Sequence, residues 1–163
     1  MPILLSIGSN LGNRLQNISD VISLINDCGE LYIEKTSPIY ETEPYGNQNQ
    51  NWFLNLALTL NIQHNGVFSP HNFFFLCKSI EHSLGRTIAP RWTERVIDID
   101  IILIDDLIID TSLLTIPHKE MHLRNFVLTP ANDIAPNWIH PIYNKTINEL
   151  LAICSDKSKI KLI

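Results

Sequence analysis

The sequence predicts an α+β sandwich, and three observations carry that expectation. Apolar runs with strand character fall at 3–7, 31–42, 52–63 and 96–104. Two segments between them, 11–25 and 70–84, repeat apolar residues at spacings of three and four, the mark of a helix with one buried stripe. The resulting order is strand, helix, strand, strand, helix, strand. A chain so arranged is expected to set helices on one face of a mostly antiparallel sheet. That is a ferredoxin-like topology, here with additional C-terminal elements.

Each element has its own signal. Ile3 to Ile7 reads as a buried strand ending at Gly8. Ser9-Asn10-Leu11-Gly12-Asn13 then opens a helix with the stripe Leu11, Leu15, Ile18, Ile22 and Ile25, and Gly29 stops it. Leu31 to Thr42 forms a second strand region. Trp52 to Gln63 has the clearest period: Leu54, Leu56, Leu58 and Leu60 alternate with Phe53, Asn55, Ala57 and Thr59, giving one apolar face and one mixed face. The amide-rich loop Asn47 to Asn51 precedes it. Ser69 caps and Pro70 opens the next helix, striped by Phe73, Cys77, Ile80 and Leu84 and ended by Gly85. The strand Val96 to Ile104 is followed by a turn at Asp105-Asp106 and a short apolar piece, Leu107 to Ile109. Beyond Pro117 the chain is proline-punctuated, with one weak helix near Ile147 to Ile153. Residues 1–163 read as a single domain without repeat or linker.

Composition narrows the function. With 163 residues, 45% apolar and 18% charged, the chain is long enough to bury a core. A net charge of −5 argues against a general partner in nucleic acid or anionic membrane. Three widely spaced cysteines, Cys28, Cys77 and Cys154, fit neither a disulfide framework nor a thiolate metal site, so a reducing, cytoplasmic setting is expected. The apolar start MPILLSIGSN is too short for a leader, and no stretch approaches a membrane span.

The chemistry concentrates at Val96-Ile97-Asp98-Ile99-Asp100-Ile101. In a strand, Asp98 and Asp100 project together, about 7 Å apart at their Cα atoms, with isoleucines behind them. Neighbouring carboxylates repel and are costly to desolvate; a cation between them relieves both problems, and oxygen-only ligands favour Mg²⁺ or Mn²⁺. The bland alternative is pairing with arginines at a strand end. Arg86, Arg91 and Arg95 precede the pair, and His118, Lys119, His122 and Arg124 follow it. Carboxylates with arginines are what a Mg²⁺-polyphosphate requires. His118 and His122 have zinc-like spacing, but no third ligand follows. Gly8-Ser9-Asn10-Leu11-Gly12 lies where phosphates often bind, yet matches neither the GxGxxG pattern nor the P-loop pattern GxxxxGK(S/T). Another Mg²⁺-dependent nucleotidyl transferase, or a non-catalytic RNA-binding module, remains open on these residues alone.

An ordered series of motifs adds a resemblance. SIGSNLGN at 6–13, SPIYETEPYG at 37–46, FLN at 53–55 and RWTERVIDIDI at 91–101 are followed by Pro117-His118, Met121, Arg124, FVL at 126–128, Pro130, IAP at 134–136 and His140-Pro141. The chain resembles the 6-hydroxymethyl-7,8-dihydropterin pyrophosphokinases of folate biosynthesis. The resemblance implies a ferredoxin-like monomer that moves the β,γ-pyrophosphate of ATP to the pterin's hydroxymethyl oxygen and releases AMP. It implies two Mg²⁺ ions on Asp98 and Asp100, and catalytic roles for Arg86, Arg95 and Asp98. ATP contacts are implied at Lys78, Glu81, Arg86, Arg95, Ile101, Thr115, His118 and Arg124. Pterin contacts are implied at Thr42, Pro44, Tyr45, Phe53, Asn55, Trp92, Asp98 and Phe126, with Phe53 and Phe126 stacking on the ring. The chain departs from the pattern at Thr93-Glu94, where Gly-Pro is common, which places a negative charge beside the phosphates. Leu113 stands where arginine is often found, and Lys119 where an aromatic is frequent.

Overall fold

The structure, a computed structural model, describes residues 1–45, 49–62, 69–87 and 93–163. The chain runs β1 (Pro2–Ser9), α1 (Arg14–Asn26), β2 (Leu31–Thr36), β3 (Tyr40–Thr42), β4 (Phe53–Ile62), α2 (Pro70–Ser83) and β5 (Asp98–Ile104). Two small hairpins follow, β6 (Ile109–Asp110) with β7 (Thr115–Ile116), and β8 (Ile139–His140) with β9 (Lys145–Thr146). Between them lie a 3-10 turn, Met121–Leu123, and α3 (Asn125–Ile134); α4 (Ile147–Ile153) and β10 (Ile160–Leu162) end the chain. The main sheet has the order β10-β3-β4-β1-β5, with β2 also on β4, and every pairing in it is antiparallel. This is the expected α+β sandwich.

Period-two alternation explains the two faces of that sheet. Ile3, Leu5 and Ile7 of β1 and Leu54, Leu56, Leu58 and Leu60 of β4 turn to one side, where α1 and α2 bury them. The other side is divided. At one end Leu4, Ala57, Ile102 and Leu103 support a second apolar cluster closed by Val127, Leu128 and Ala131 of α3 and Ile147 and Leu150 of α4. At the other end the same alternation presents Ser6, Gly8, Phe53, Asn55, Asp98 and Asp100, and that end forms the wall of a cavity. Helices thus cover one face completely and half of the other, not one face alone as expected.

Boundaries moved where side chains compete with backbone. The first helix begins at Arg14, with the Asn13 side chain accepting from the Gln16 amide. Its buried stripe is Ile18, Val21 and Ile25, while Leu11 and Leu15 are exposed. Residues 9–13 stay out of the helix because Ser9 and Asn10 spend their side chains on residues 95 and 96. The run 31–42 divides at Ser37-Pro38: Ser37 Oγ accepts from the Ala57 amide at 2.9 Å, and the proline offers no ladder donor. The helix at 125–134 was not expected. It carries Pro130 in its interior, which removes one hydrogen bond, and burial of Val127, Leu128, Ala131 and Ile134 offsets that loss.

Candidate active site

β5 delivers the two aspartates to the open half of the sheet, opposite the buried Ile97, Ile99 and Ile101. Asp98 is gripped from both sides: Arg86 donates to Oδ1 at 2.7 Å, and Arg95 makes a short charged hydrogen bond to Oδ2. Burial alone would raise the Asp98 pKa, but the two guanidiniums outweigh it and hold the carboxyl below its ordinary value. Asp100 has the opposite fate. Burial first, and then the Asp98 carboxylate, push its pKa up, with His118 and Lys78 opposing only in part. One carboxylate is satisfied and its neighbour two residues on is not.

Arg86 is itself anchored. It pairs with Glu81 of α2, a residue only 2% exposed, as well as with Asp98. Glu81 Oε1 also accepts from Lys78 Nζ at 2.9 Å and from the Ile99 amide at 2.7 Å, while Lys78 reaches the Ile99 carbonyl at 3.4 Å. Glu81 is therefore a buried bracket between α2 and β5 that aims Arg86 at Asp98.

Two cavities meet at Asp100. The first, of about 120 Å³, is lined by Thr42, Tyr45, Phe53, Asn55 and Phe126 on one side and by Arg95, Asp98 and Asp100 on the other. The second, of about 240 Å³, is lined by Phe74, Lys78, Ile101, Thr115 and His118 together with Asp100. Leu113 and Lys119, the two departures noted in the sequence, also line the second cavity. His118 is half-buried, and the desolvation lowers its pKa despite the nearby Asp100 carboxylate; its Nδ1 accepts from the Glu120 amide.

In the first cavity Asn55, 3% exposed, donates to Thr42 Oγ1 at 2.6 Å. Phe53 precedes it on the same face. Arg124 pairs with Glu120 and lies 5.7 Å from the Phe126 ring and 5.9 Å from the Tyr45 ring. Pro44 is buried beside Thr42. Trp92 and Arg91 lie outside the described residues.

Some residues of the cavity were not singled out from sequence. Ser6 lines it together with Gly8, which the sequence offered only as the start of a phosphate-binding turn; the two share a face of β1, and the available signal was a pair of small residues alternating with Leu5 and Ile7. A Cβ on Gly8 would come within 2.6 Å of Asn55 Oδ1. Gly8→Ala is therefore expected to fold, to displace Asn55, and to weaken binding of a ligand in this cavity by about tenfold, the worth of one hydrogen bond to a buried group. Isothermal titration of the ligand against the variant checks this. Ser9 and Asn10 are structural: Ser9 Oγ donates to the Val96 carbonyl at 2.6 Å, and Asn10 Oδ1 accepts from the Arg95 amide at 2.7 Å.

The donor set fits a hard divalent cation. Among the described residues no group of three or more His, Cys, Asp or Glu side chains could hold a metal. Two neighbouring carboxylates, one of them only partly compensated by nearby cations, suit an ion that takes its remaining oxygens from water and substrate, as Mg²⁺ does.

Fold and site together define a small α+β protein that can hold a polyanion beside a flat polar molecule. The family model for 7,8-dihydro-6-hydroxymethylpterin-pyrophosphokinase (HPPK) matches residues 4–136, and the chain belongs to that family. It is 37% identical over 147 residues to the 2-amino-4-hydroxy-6-hydroxymethyldihydropteridine pyrophosphokinase of Aquifex aeolicus, covering 90% of this chain and 88% of that protein. It is 40% identical over 148 residues to the Folic acid synthesis protein FOL1 of Dictyostelium discoideum, where it covers 91% of this chain but 22% of the relative. The wild-type Plasmodium falciparum HPPK-DHPS crystal structure has the same fold, with a TM-score of 0.70 at 17% identity over 93% of this chain and 44% of that one.

Proposed function

We propose that the chain transfers the β,γ-pyrophosphate of ATP to the hydroxymethyl group of 6-hydroxymethyl-7,8-dihydropterin in folate biosynthesis, as one domain spanning 1–163. The observation that carries this reading is the convergence of two cavities of different character on Asp98 and Asp100. The aromatic and amide-lined cavity suits the pterin: Phe53 and Phe126 for its faces, Asn55 with Thr42, Pro44 and Tyr45 for its polar edge. The cavity with Lys78, Ile101, Thr115 and His118 suits the nucleotide, with Arg86, Arg95 and Arg124 toward the phosphates and Glu81 holding Arg86. Trp92 belongs to the same reading by resemblance.

Asp98 and Asp100 would hold Mg²⁺, two ions by the family's pattern, and the metal would neutralise charge on the transferring phosphates. The hydroxymethyl oxygen forms a bond to the β-phosphorus as the bond from that phosphorus to the bridging α-oxygen breaks, and AMP departs. The hydroxyl proton leaves toward solvent, with Asp98 placed to orient it. Arg86 and Arg95 hold Asp98 in the free protein. Phosphate oxygens offer these guanidiniums a matched partner, so binding of ATP exchanges the Asp98 pairs for phosphate pairs and frees the carboxylate.

A monomer in the cytoplasm is the setting we infer. Its three cysteines are free, and no described helix is long and apolar enough to cross a membrane. Incubation with ATP, Mg²⁺ and the hydroxymethyl-dihydropterin, followed by nucleotide chromatography, should yield AMP in proportion to pterin consumed. ADP as the product, or nucleotide turnover independent of pterin, sinks the reading.

A further inference from the structure

We propose that Glu94 is a positioning residue that, through Asn51, couples the pterin side of the cavity to the arginine on its phosphate side. The inference rests on the pyrophosphokinase reading of the site. The segment 49–52 leads directly into Phe53 and Asn55, while the segment 93–95 ends on Arg95, three residues before Asp98. They are distant in sequence and are fastened together at two points.

Glu94 Oε1 accepts from Asn51 Nδ2 at 2.8 Å and from the Asn51 amide at 3.4 Å. On the opposite side Asn10, 1% exposed, donates from Nδ2 to the Asn51 carbonyl at 3.1 Å and to Gln50 Oε1 at 3.2 Å. The same Asn10 accepts from the Arg95 amide at 2.7 Å and donates its own amide to the Arg95 carbonyl at 3.1 Å. Asn51 is thus held at both its amide and its carbonyl, and so is the backbone of Arg95. Gln50, Thr93 and Arg95 line the cavity, whereas the Glu94 carboxylate is turned to Asn51. The negative charge that the sequence placed beside the phosphates is committed to Asn51 instead. A carboxylate accepting two amide hydrogens is a stronger tie than a neutral acceptor. A shift of 49–52 when the pterin seats therefore moves 93–95, and the guanidinium of Arg95 with it.

The test measures binding of α,β-methylene-ATP with and without the dihydropterin, and turnover, in the full chain. Glu94→Ala should reduce the mutual strengthening of the two ligands by about three- to tenfold and lower kcat by a similar factor, with little change in the Kd of either ligand measured alone. Glu94→Gln, which keeps an acceptor oxygen, should recover most of the loss. Asn51→Ala should match Glu94→Ala, and the double variant should be no worse than either. Hydrogen exchange of the ligand-free protein should rise in 49–52 on Glu94→Ala, a readout that needs no activity. If coupling and exchange both stay within twofold of the parent protein, or the two substitutions add independently, the proposal is overturned. Absence of AMP formation by the parent protein, with exchange rising as described, would instead overturn the functional reading and leave the clasp standing.

Discussion

Replacing Asp98 or Asp100 by alanine is expected to cut AMP formation by about a thousandfold or more, the scale of losing charge stabilisation preorganised in a buried site. Steady-state assay at saturating ATP and pterin checks it, with circular dichroism to verify the fold; near-normal turnover from either variant would refute the assignment. The two aspartates should part company in stability. Asp100 has a folded-state pKa above its unfolded value, because of burial and the Asp98 carboxylate. A carboxyl so shifted binds its proton more tightly in the folded chain, so its ionisation costs stability progressively as pH rises from the unfolded pKa through the folded one. At neutral pH Asp100→Asn removes that cost. The metal-free variant should melt higher than the parent at neutral pH while being inactive. Asp98 has the reverse shift, with burial outweighed by Arg86 and Arg95. It contributes stability that is present above the unfolded pKa and is lost as pH falls through the folded one. Asp98→Asn should therefore melt lower at neutral pH, and differential scanning calorimetry of the pair would reveal the opposite signs.

Arg95→Ala carries the second large effect. An arginine that stabilises a transferring phosphoryl group is worth about 10³–10⁵ in rate. Arg95 donates to Asp98 from a backbone pinned at both its N–H and C=O by Asn10. The loss should fall on the chemical step, seen as a slow single turnover, with binding of the pterin nearly unchanged. Arg95→Lys should recover little, since an ammonium cannot reproduce the planar fork. Single-turnover rates within tenfold of the parent would show that Arg95 serves structure and not transfer.

Much of the site was legible in the sequence because strand alternation is a strong constraint. Once 53–62 and 98–104 are strands, Phe53 with Asn55 and Asp98 with Asp100 must each share a face, and the structure puts both pairs on one cavity wall. What could not be read was how distant segments meet. Nothing in the local pattern says that Asn10 braces Arg95, or that Glu81 reaches the Ile99 amide, because these are tertiary contacts between residues common on any surface. The helix at 125–134 was hidden by Pro130, a residue that ordinarily ends helices and is tolerated here because Val127, Leu128 and Ala131 of the same helix bury in one cluster with Leu4 and Ala57. The first helix was placed too early for the opposite reason: Leu11 and Leu15 fit the spacing but lie on a turn and first coil that face solvent.

The bracket around Glu81 has a consequence outside the reaction. β5 is a border strand of the main sheet, and border strands offer unpaired amides to any extended chain that meets them. At Ile99 both the donor and the acceptor of that border are taken by Glu81 and Lys78, and further along the Ile102 carbonyl accepts from the His118 amide. The helix side chains that aim an arginine also block this stretch of the β5 border against intermolecular pairing. Loss of Glu81 would therefore strike solubility and turnover together, and an inactive Glu81 variant that precipitates on concentration would be showing one cause, not two.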